Sequence, residues 1–293
     1  MMEKPLTQKT SATLLKLQQA EITEYHIYQK IAAATTDPHN REILTRIAEQ
    51  ENEHYLIWKK YTGRDVAPDL YRVWYYYLLA RILGITFAIK LMEGIEKRAQ
   101  HVYRELGTII PEVKEIVAHE EAHERELIGL LDEERLRYVG SVVLGLNDAL
   151  VEFTGTLAGL TFALQNSQVI AMAGLITGVA ASLSMGASEY LSQKSGGGSQ
   201  NPGKAAFYTG TAYIFTVFLL VLPFLLFSNP YVALPITLGC AILVIFLFTF
   251  YISIAKDLPF VRRFLEMVAI SMGIAGISFV IGLIIRMVLH VDV

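Results

Sequence analysis

The distribution of charge along the chain is the strongest constraint on its fold. Of the 53 Lys, Arg, Asp and Glu residues, only twelve, six basic and six acidic, lie in residues 138–293. Apolar runs fill that part, and the whole chain has a mean hydropathy of +0.40, which is too high for an ordinary soluble domain. The sequence therefore predicts a soluble domain over residues 1–137 and a membrane domain over residues 138–293.

The composition also argues against several classes of protein. The net charge is −3, and the charged half mixes both signs without a Lys/Arg run, so nothing indicates a nucleic-acid binder. The single cysteine, Cys240, lies in an apolar run, which gives neither a disulfide framework nor a cysteine-rich metal site. The first ten residues are mostly polar, which predicts no signal peptide and a cytoplasmic N-terminal domain.

Five apolar stretches follow Arg137, at 139–164, 169–191, 205–228, 231–255 and 264–289. Each is long enough to cross the hydrocarbon core as a helix. Lys and Arg residues precede the first stretch and lie between the second and third and between the fourth and fifth, whereas the opposite connections contain none. The positive-inside rule therefore predicts a multi-pass cell-membrane protein with a cytoplasmic N-terminal domain and an outside C-terminus.

Acidic residues inside these stretches indicate more than an anchor. Asp148 lies near the middle of the first stretch, where an isolated ionised Asp costs roughly 2.5–3.5 kcal/mol, and Glu152 follows one turn later on a face of small residues. Met185 and Glu189 end a similar face in the second stretch, and a thioether beside carboxylates suits a transition-metal ion. These residues predict an ion path. The alternative is that the glycines only pack helices and that Glu189 and Glu266 are exposed at the cytoplasmic interface.

Two motifs here, 145–150 (GLNDAL) and 184–190 (SMGASEY), resemble signatures of the vacuolar iron transporter family. Its members are five-span dimers that move Fe²⁺ and Mn²⁺ out of the cytosol against protons. The resemblance implies that Asp148 and Met185 are pathway ligands and that Glu189 lies at the cytoplasmic entrance. Members often carry an acidic metal-binding segment between spans two and three. This chain has a Gly/Ser linker there, so another part has to capture the metal.

The soluble half shows helical periodicity with almost no strand signal. The predicted helices cover about 10–34, 39–61, 70–106 with a break near Gly84, and 111–135, the last running into the first apolar stretch. Glu-x-x-His pairs occur on the second and fourth of them, as Glu51/His54 and Glu120/His123. A spacing of three places both side chains of a pair on one helix face.

The first and third helices supply further acids, so the set matches the ligand plan of ferritin-like di-iron and di-manganese bundles. The predicted di-metal ligands are Glu21, Glu51, His54, Glu93, Glu96, Glu120 and His123. The alternative is that they form solvated faces of amphipathic helices. Seven buried groups of this kind would be very costly without a metal, so they are either exposed or metal-bound. The remaining histidines are predicted to be surface or internally satisfied: His26, His39, His101 and His119.

The detailed spacing resembles the di-iron domain of the rubrerythrins. Glu21 is followed by a Tyr seven residues later, the runs 50–54 (QENEH) and 120–123 (EEAH) lie on helices two and four, and the acids at 93 and 96 are followed by a Tyr. The resemblance implies a di-iron centre, with manganese or zinc as alternatives, in which Glu21 is the helix-one ligand. The residues expected around it are Glu24, Tyr28 and Tyr103. The rubredoxin-like cysteine domain of many rubrerythrins is missing.

The predicted fold is therefore all-α, a ferritin-like four-helix bundle followed by a five-span helical membrane domain. This combination resembles the membrane-bound ferritins. It implies a homodimeric, proton-coupled exporter of Fe²⁺ or Mn²⁺ whose cytoplasmic di-iron domain captures, senses or oxidises the metal. The alternative is a membrane-anchored di-iron ferroxidase or peroxidase that uses the spans only for attachment. The sequence leaves open whether the bundle is an enzyme.

Overall fold

The chain forms two compact units, Met1–Glu133 and Glu134–Val293. The computed structural model describes residues 8–96, 103, 106–107, 110–130, 138–196 and 201–289, with the side chains of all of these except 8–10, 93, 95–96, 124–130 and 289. Regular structure in these ranges is entirely helical, and no strand occurs within them. The all-helical prediction is confirmed.

The N-terminal unit contains five helices in its described part. They are α1 (Gln8–Ala34), α2 (Pro38–Thr62), α3 (Leu70–Leu83), α4 (Ile85–Glu96) and α5 (Val113–Leu130). The predicted continuation of the third helix through 97–102, and that of the fourth through 131–135 into the first apolar stretch, lie outside the described residues.

Local signals set the ends of these helices. The Asp37 side chain accepts a hydrogen bond from the Asn40 amide at 2.8 Å, and Pro38 occupies the first turn of α2, where its missing N–H costs nothing. Gly63 ends α2 at φ +68° and donates to Lys59 O at 2.9 Å. Gly84, at φ +102°, separates α3 from α4, so the predicted break is present at that residue.

Two apolar clusters hold the N-terminal unit together. Helix α1 packs against α2 and α3, and α5 contacts α2 and α4. One cluster includes Ile27 and Ile47, and the other includes Leu14 and Trp58. Both therefore draw on α1 and α2, and they leave between them the middle turns of these two helices. That is where Glu21, Glu51 and His54 lie.

The second unit contains the apolar helices. They are α6 (Val139–Asp148), a π-helical turn (Ala149–Phe153), α7 (Thr154–Leu164), α8 (Ser167–Ser195), α9 (Pro202–Leu226), α10 (Pro230–Ala255) and α11 (Phe260–Leu289). Helices α8 to α11 are long and apolar enough to cross a membrane, which makes four candidate spans among the described residues. The predicted first span, 139–164, consists of α6, the π-turn and α7 in direct succession.

Asparagine caps begin three of these helices. The Asn166 side chain accepts from the amides of Gln168 and Val169 at the start of α8. At α9 and α10 the capping residues Asn201 and Asn229 are each followed by a proline in the first turn. The caps satisfy amides that no helix carbonyl can reach, so the short polar connectors read from the sequence coincide with helix starts.

Close backbone contacts hold the membrane helices to one another. A Cβ atom at Gly145 on α6 would collide with the carbonyl of Thr209 on α9, and one at Gly282 on α11 would collide with the carbonyl of Gly159 on α7. Only glycine allows backbones to approach so closely. Gly273, by contrast, has no atom within 4 Å of such a Cβ among the described residues.

Candidate metal centre

Three helices of the N-terminal unit converge on one polar cluster. Helix α1 supplies Glu21, α2 supplies Glu51 and His54 one turn apart, and α5 supplies Glu120. One ligand atom from each of these four residues lies within 4.8 Å of those of the other three. Glu21, Glu51 and His54 are at most 2% exposed, whereas the side chain of Glu120 is 27% exposed. The cluster therefore opens to solvent on the α5 side.

The distances define a compact set of oxygen and nitrogen atoms. His54 Nδ1 lies 3.2 Å from Glu120 Oε1, 3.4 Å from Glu51 Oε2 and 3.6 Å from Glu21 Oε2. His123, one turn after Glu120 on α5, places its Nδ1 3.4 Å from Glu51 Oε1 and 3.8 Å from Glu120 Oε2. Glu51 thus lies between the two imidazoles.

Three buried atoms in this cluster have no hydrogen-bond partner among the described residues. They are Glu51 Oε2, His54 Nδ1 and His123 Nδ1. Buried polar atoms in folded proteins are nearly always bonded, and an unbonded one is costly. Bound divalent ions would satisfy such atoms, because carboxylate oxygen and imidazole nitrogen are common ligands of iron, manganese and zinc. The residues present fit a bound metal.

The far side of each imidazole is held by a second residue. His123 Nε2 lies 2.8 Å from Gln50 Oε1, an oxygen that can only accept, so Nε2 carries a proton and the Nδ1 atom that faces the cluster is the one that a metal would take after deprotonation. His54 Nε2 lies 3.2 Å from His119 Nδ1. Such outer partners fix the tautomer and orientation of metal-binding histidines.

Glu21 is also held from outside the cluster. Trp58 Nε1 donates to Glu21 Oε1 at 3.0 Å, and the Tyr103 hydroxyl donates to the same atom at 3.3 Å. Oε2 of Glu21 is the atom that faces His54. One carboxylate oxygen is therefore anchored while the other is directed into the cluster.

Sequence reasoning missed three of these partners: Gln50, Trp58 and His119. We group His119 with the surface or satisfied histidines, and it is satisfied, being half-buried and bonded to His54, but its role beside the cluster was not predicted. Its position four residues before His123 was the available signal, because that spacing places both rings on one face of α5. Gln50 lies within the run 50–54 (QENEH), but the sequence predicted no role for it.

Burial and opposite charge shift the pKa values in the cluster. Burial raises the pKa of Glu21 to about 8. Burial acts in the same direction on Glu51, but the facing His123 and His54 lower its pKa to about 2. Burial disfavours the charged form of His54, but the facing carboxylates of Glu120, Glu21 and Glu51 raise its pKa to about 12. Metal binding must release the histidine protons, so binding and protonation compete.

The remaining predicted residues of this unit are Glu24, Tyr28, Glu93 and Glu96. Glu24 is buried on α1 and Tyr28 belongs to an apolar cluster, and neither is part of the four-residue group. The side chains of Glu93 and Glu96 lie outside the described residues. Of the three residues expected around Glu21, Tyr103 donates a hydrogen bond to it.

In the membrane unit, Asp148 and Glu152 lie at the junction of α6 and the π-turn. Asp148 ends α6 and is half-buried, while Glu152 lies within the π-turn and is exposed. The hydroxyl of Tyr213, a fully buried residue of α9, donates to Glu152 Oε2 at 3.3 Å. Among the described residues, the acids of this unit form no group of three or more that could hold an ion within one chain.

Glu189 and Glu266 differ in burial. Glu189 on α8 is 6% exposed and accepts hydrogen bonds from Ser141 Oγ at 2.8 Å and Gln193 Nε2 at 3.0 Å. Glu266 on α11 is exposed. The exposure that we considered for both acids therefore holds for Glu266 and is wrong for Glu189. Met185 is half-buried and packs against the apolar core of the unit.

The membrane unit is the part of the chain that matches a known protein family. Residues 139–197 match the VIT family. The match covers α6, the π-turn, α7 and α8, and so includes Asp148, Glu152, Met185 and Glu189. With the four apolar helices, it supports a VIT-type membrane domain, that of the vacuolar iron transporters, and a role in metal-ion transport. No curated protein matches the chain.

Proposed function

We propose that this protein exports Fe²⁺ or Mn²⁺ from the cytosol in exchange for protons, with the N-terminal unit as the site that captures the metal. The observation that carries the proposal is the buried Glu21/Glu51/His54/Glu120 group in a chain whose other unit is of the VIT type. Both units then handle the same kind of ion. The Gly/Ser linker after α8 leaves metal capture to the N-terminal unit.

Asp148, Glu152, Met185 and Glu189 form the proposed pathway. The continuous helical run over 139–164 supports a fifth span, which would put the two ends of the chain on opposite sides of the membrane. Glu152 is exposed on the single chain, and an ionised acid facing lipid is costly. That exposure supports a homodimer in which a second copy covers the acids and completes the path.

The N-terminal unit is proposed to be a ferritin-like, cytoplasmic di-iron domain. Glu21, Glu51, His54, Glu120 and His123 would hold the metal, and the acids at 93 and 96 are proposed as further ligands. Bound iron would supply one-electron chemistry. The chain's own part is to hold the carboxylates and imidazoles in place through Trp58, Gln50 and His119. The cation distribution supports a cytoplasmic location.

Metal flux into proteoliposomes tests the transport proposal. Asp148→Asn removes the charge with little change of shape and is expected to reduce Mn²⁺ and Fe²⁺ flux to the level of protein-free vesicles. Asp257→Asn is the matched control, because Asp257 lies between α10 and α11 at φ +51°, a conformation that Asn adopts readily. Equal flux for wild type and Asp148→Asn would overturn the pathway.

A second pair of variants tests metal capture. Glu51→Gln is expected to abolish Mn²⁺ binding by the N-terminal unit, because Glu51 faces both imidazoles. Glu49→Gln lies on the exposed face of the same helix and should bind as wild type does. Both tryptophans of the chain, Trp58 and Trp74, lie in this unit, so quenching of their fluorescence by Mn²⁺ reads the site directly.

The alternative function is a membrane-anchored di-iron ferroxidase or peroxidase. The specific observation in its favour is the outer support of the cluster, in which Tyr103 and Trp58 both bond Glu21. Oxygen- or peroxide-dependent turnover of Fe²⁺ that Glu51→Gln abolishes, with no metal flux by wild type, would establish it. Flux that depends on Asp148 would reject the anchor role of the spans.

A further inference from the structure

The helical run over 139–164 changes its winding at the proposed pathway acids. The π-turn Ala149–Phe153 begins directly after Asp148 and contains Glu152. A π-turn widens the helix locally and redirects the side chains on either side of it. The relative orientation of Asp148 and Glu152 therefore depends on what keeps this turn in place.

One carbonyl of the π-turn is bonded by two hydroxyl groups. The Thr154 amide donates to Val151 O. Leu150 O accepts from Thr154 Oγ1 at 2.5 Å and from Ser271 Oγ at 2.9 Å, and the two hydroxyl oxygens lie 3.2 Å apart. Thr154 Oγ1 also lies 3.3 Å from Val151 O, so the one proton of each hydroxyl is shared among the oxygens gathered at this turn.

Ser271 belongs to another helix, α11, and lies 121 residues from Leu150 in sequence. Leu150, Thr154 and Ser271 all have an exposure of 0%. A buried hydroxyl in an apolar helix is unfavourable unless it is bonded, and an alanine at 271 would pack without that requirement. The hydroxyl of Ser271 is therefore satisfied by the π-turn of a different helix.

Some buried hydroxyls in this unit bond within their own helix, as Thr161 Oγ1 does when it donates to Leu157 O at 2.7 Å. Such local bonds are what threonine in an apolar helix normally makes. Others cross between helices, as Thr209 Oγ1 does when it donates to Ser141 O at 2.9 Å. The bond from Ser271 also crosses between helices, and its distinguishing feature is that it ends at the π-turn.

The acid of the π-turn is held from a third helix. The Tyr213 hydroxyl on α9 donates to Glu152 Oε2. The backbone of the turn is thus tied to α11 through Ser271, and its carboxylate is tied to α9 through Tyr213. Asp148, directly before the turn, is oriented by the same backbone.

We propose that Ser271, together with Thr154, is a positioning residue for the Asp148–Glu152 pair: the two hydroxyls hold the π-turn that sets the direction of these acids. The proposal rests on the transport function proposed above. Neither hydroxyl has to touch the ion, since they act through Leu150 O.

Amide hydrogen exchange of the full chain tests the structural part. Ser271→Ala is expected to speed exchange of the segment 149–154 roughly two- to tenfold, which corresponds to the loss of one neutral hydrogen bond. Ser253→Ala is the matched control, because Ser253 is also buried in an apolar helix and its Oγ has no hydrogen-bond partner in the part of the chain that the structure describes. Unchanged exchange at 149–154 in Ser271→Ala would overturn the proposal.

Flux kinetics test the positioning part. Thr154→Val removes the hydroxyl with little change of shape and is expected to raise the KM for Mn²⁺ roughly two- to tenfold, as is Ser271→Ala. Thr154→Ser keeps the hydroxyl and should restore the wild-type KM. Thr161→Val removes a local bond only and should leave KM unchanged. Faster exchange with an unchanged KM in both variants would reduce Ser271 to a structural role and overturn positioning.

Failure of the proposed function can be told apart from failure of this proposal. If the wild-type protein transports no Mn²⁺, the transport function fails. The positioning proposal is then tested by Mn²⁺ binding to the Glu51→Gln variant, in which the N-terminal site is removed and the remaining binding is the part that Asp148→Asn abolishes. Adding Ser271→Ala to Glu51→Gln should weaken this remaining binding, and an unchanged affinity would overturn the positioning proposal. If Ser271→Ala does not fold, Thr154→Val and Thr154→Ser carry both measurements.

Discussion

The two units use acidic residues in opposite ways. In the N-terminal unit, four ligand-type side chains converge within 4.8 Å, and outer residues fix the imidazoles and one oxygen of Glu21. In the membrane unit, Glu152 and Glu189 each accept one or two hydrogen bonds from neutral groups. A site that retains an ion needs several charged ligands at one point, whereas a path needs sites weak enough to release it. The proposed function assigns the first arrangement to a holding site and the second to a conducting route for the same ion.

The largest expected effect is on the stability of the N-terminal unit. A metal present at a thousand times its Kd stabilises the folded state by about 4 kcal/mol, and only the holding site should show this. Thermal unfolding followed by tryptophan fluorescence should shift upward with Mn²⁺ and downward with a chelator. Glu51→Gln should abolish the shift and Glu49→Gln should keep it. A shift that persists in Glu51→Gln would place the metal elsewhere.

The next effect belongs to the membrane unit. Gly145→Ala forces a methyl group against Thr209 O, and overpacking of this kind costs about 1–3 kcal/mol. Gly140→Ala is the control, since no atom of the described residues lies within 4 Å of a Cβ there. Far-UV circular dichroism in detergent should show a lower unfolding temperature for Gly145→Ala alone. Mn²⁺ quenching in the N-terminal unit should be the same for both variants, and a change in it would contradict the separation of the units.

A change in an outer partner should weaken the holding site without destroying it. Gln50→Leu removes the acceptor for His123 Nε2, and loss of such a partner lowers metal affinity about 10–100-fold, or about 1.4–2.7 kcal/mol. Quenching of the tryptophan fluorescence during a titration with Mn²⁺ measures this affinity. Gln29→Leu, at an exposed position on α1 where the side chain bonds Tyr25, should bind like wild type. Wild-type affinity in Gln50→Leu would show that His123 needs no orienting partner.

The smallest effect is a pH dependence unrelated to metal. A hydrogen bond from Tyr61 and the nearby Lys60 lower the pKa of Glu112 from 4.5 to about 2. Because the folded pKa is depressed, this stabilisation is fully present above pH 4.5 and is lost as the pH falls toward 2. The side chain is 30% exposed, so the contribution is below about 1 kcal/mol.

The free energies of unfolding of Glu112→Gln and of the exposed control Glu115→Gln measure this contribution. They are compared at pH 6 and near pH 3 in the presence of a chelator. The difference between the two variants should shrink as the pH falls. If the difference in free energy of unfolding is the same at both pH values, the contacts of Glu112 have no electrostatic role in stability.

Much of this architecture could be predicted because local signals agree with the tertiary structure. Asp37-Pro38 and Gly63 mark the ends of α2, the Asn caps mark three membrane helices, and the spacing of Glu51 and His54 predicts a shared face. The partners of those residues could not be predicted. His119 and Ser141 acquire their roles only when a second helix approaches, and periodicity within one helix carries no information about that approach. The π-turn was missed because an apolar run looks the same for either winding.

The π-turn also fixes the register of everything that follows it in α7. It accommodates an extra residue relative to an α-helix, and each residue of an α-helix turns the chain by about 100°. Rewinding 149–153 as an α-helix without removing a residue would therefore rotate α7 by about that angle. Gly159 would then turn away from Gly282, and a bulkier side chain would meet α11 where the two backbones now touch. The winding of this short segment is thus as constrained as the identity of its acids.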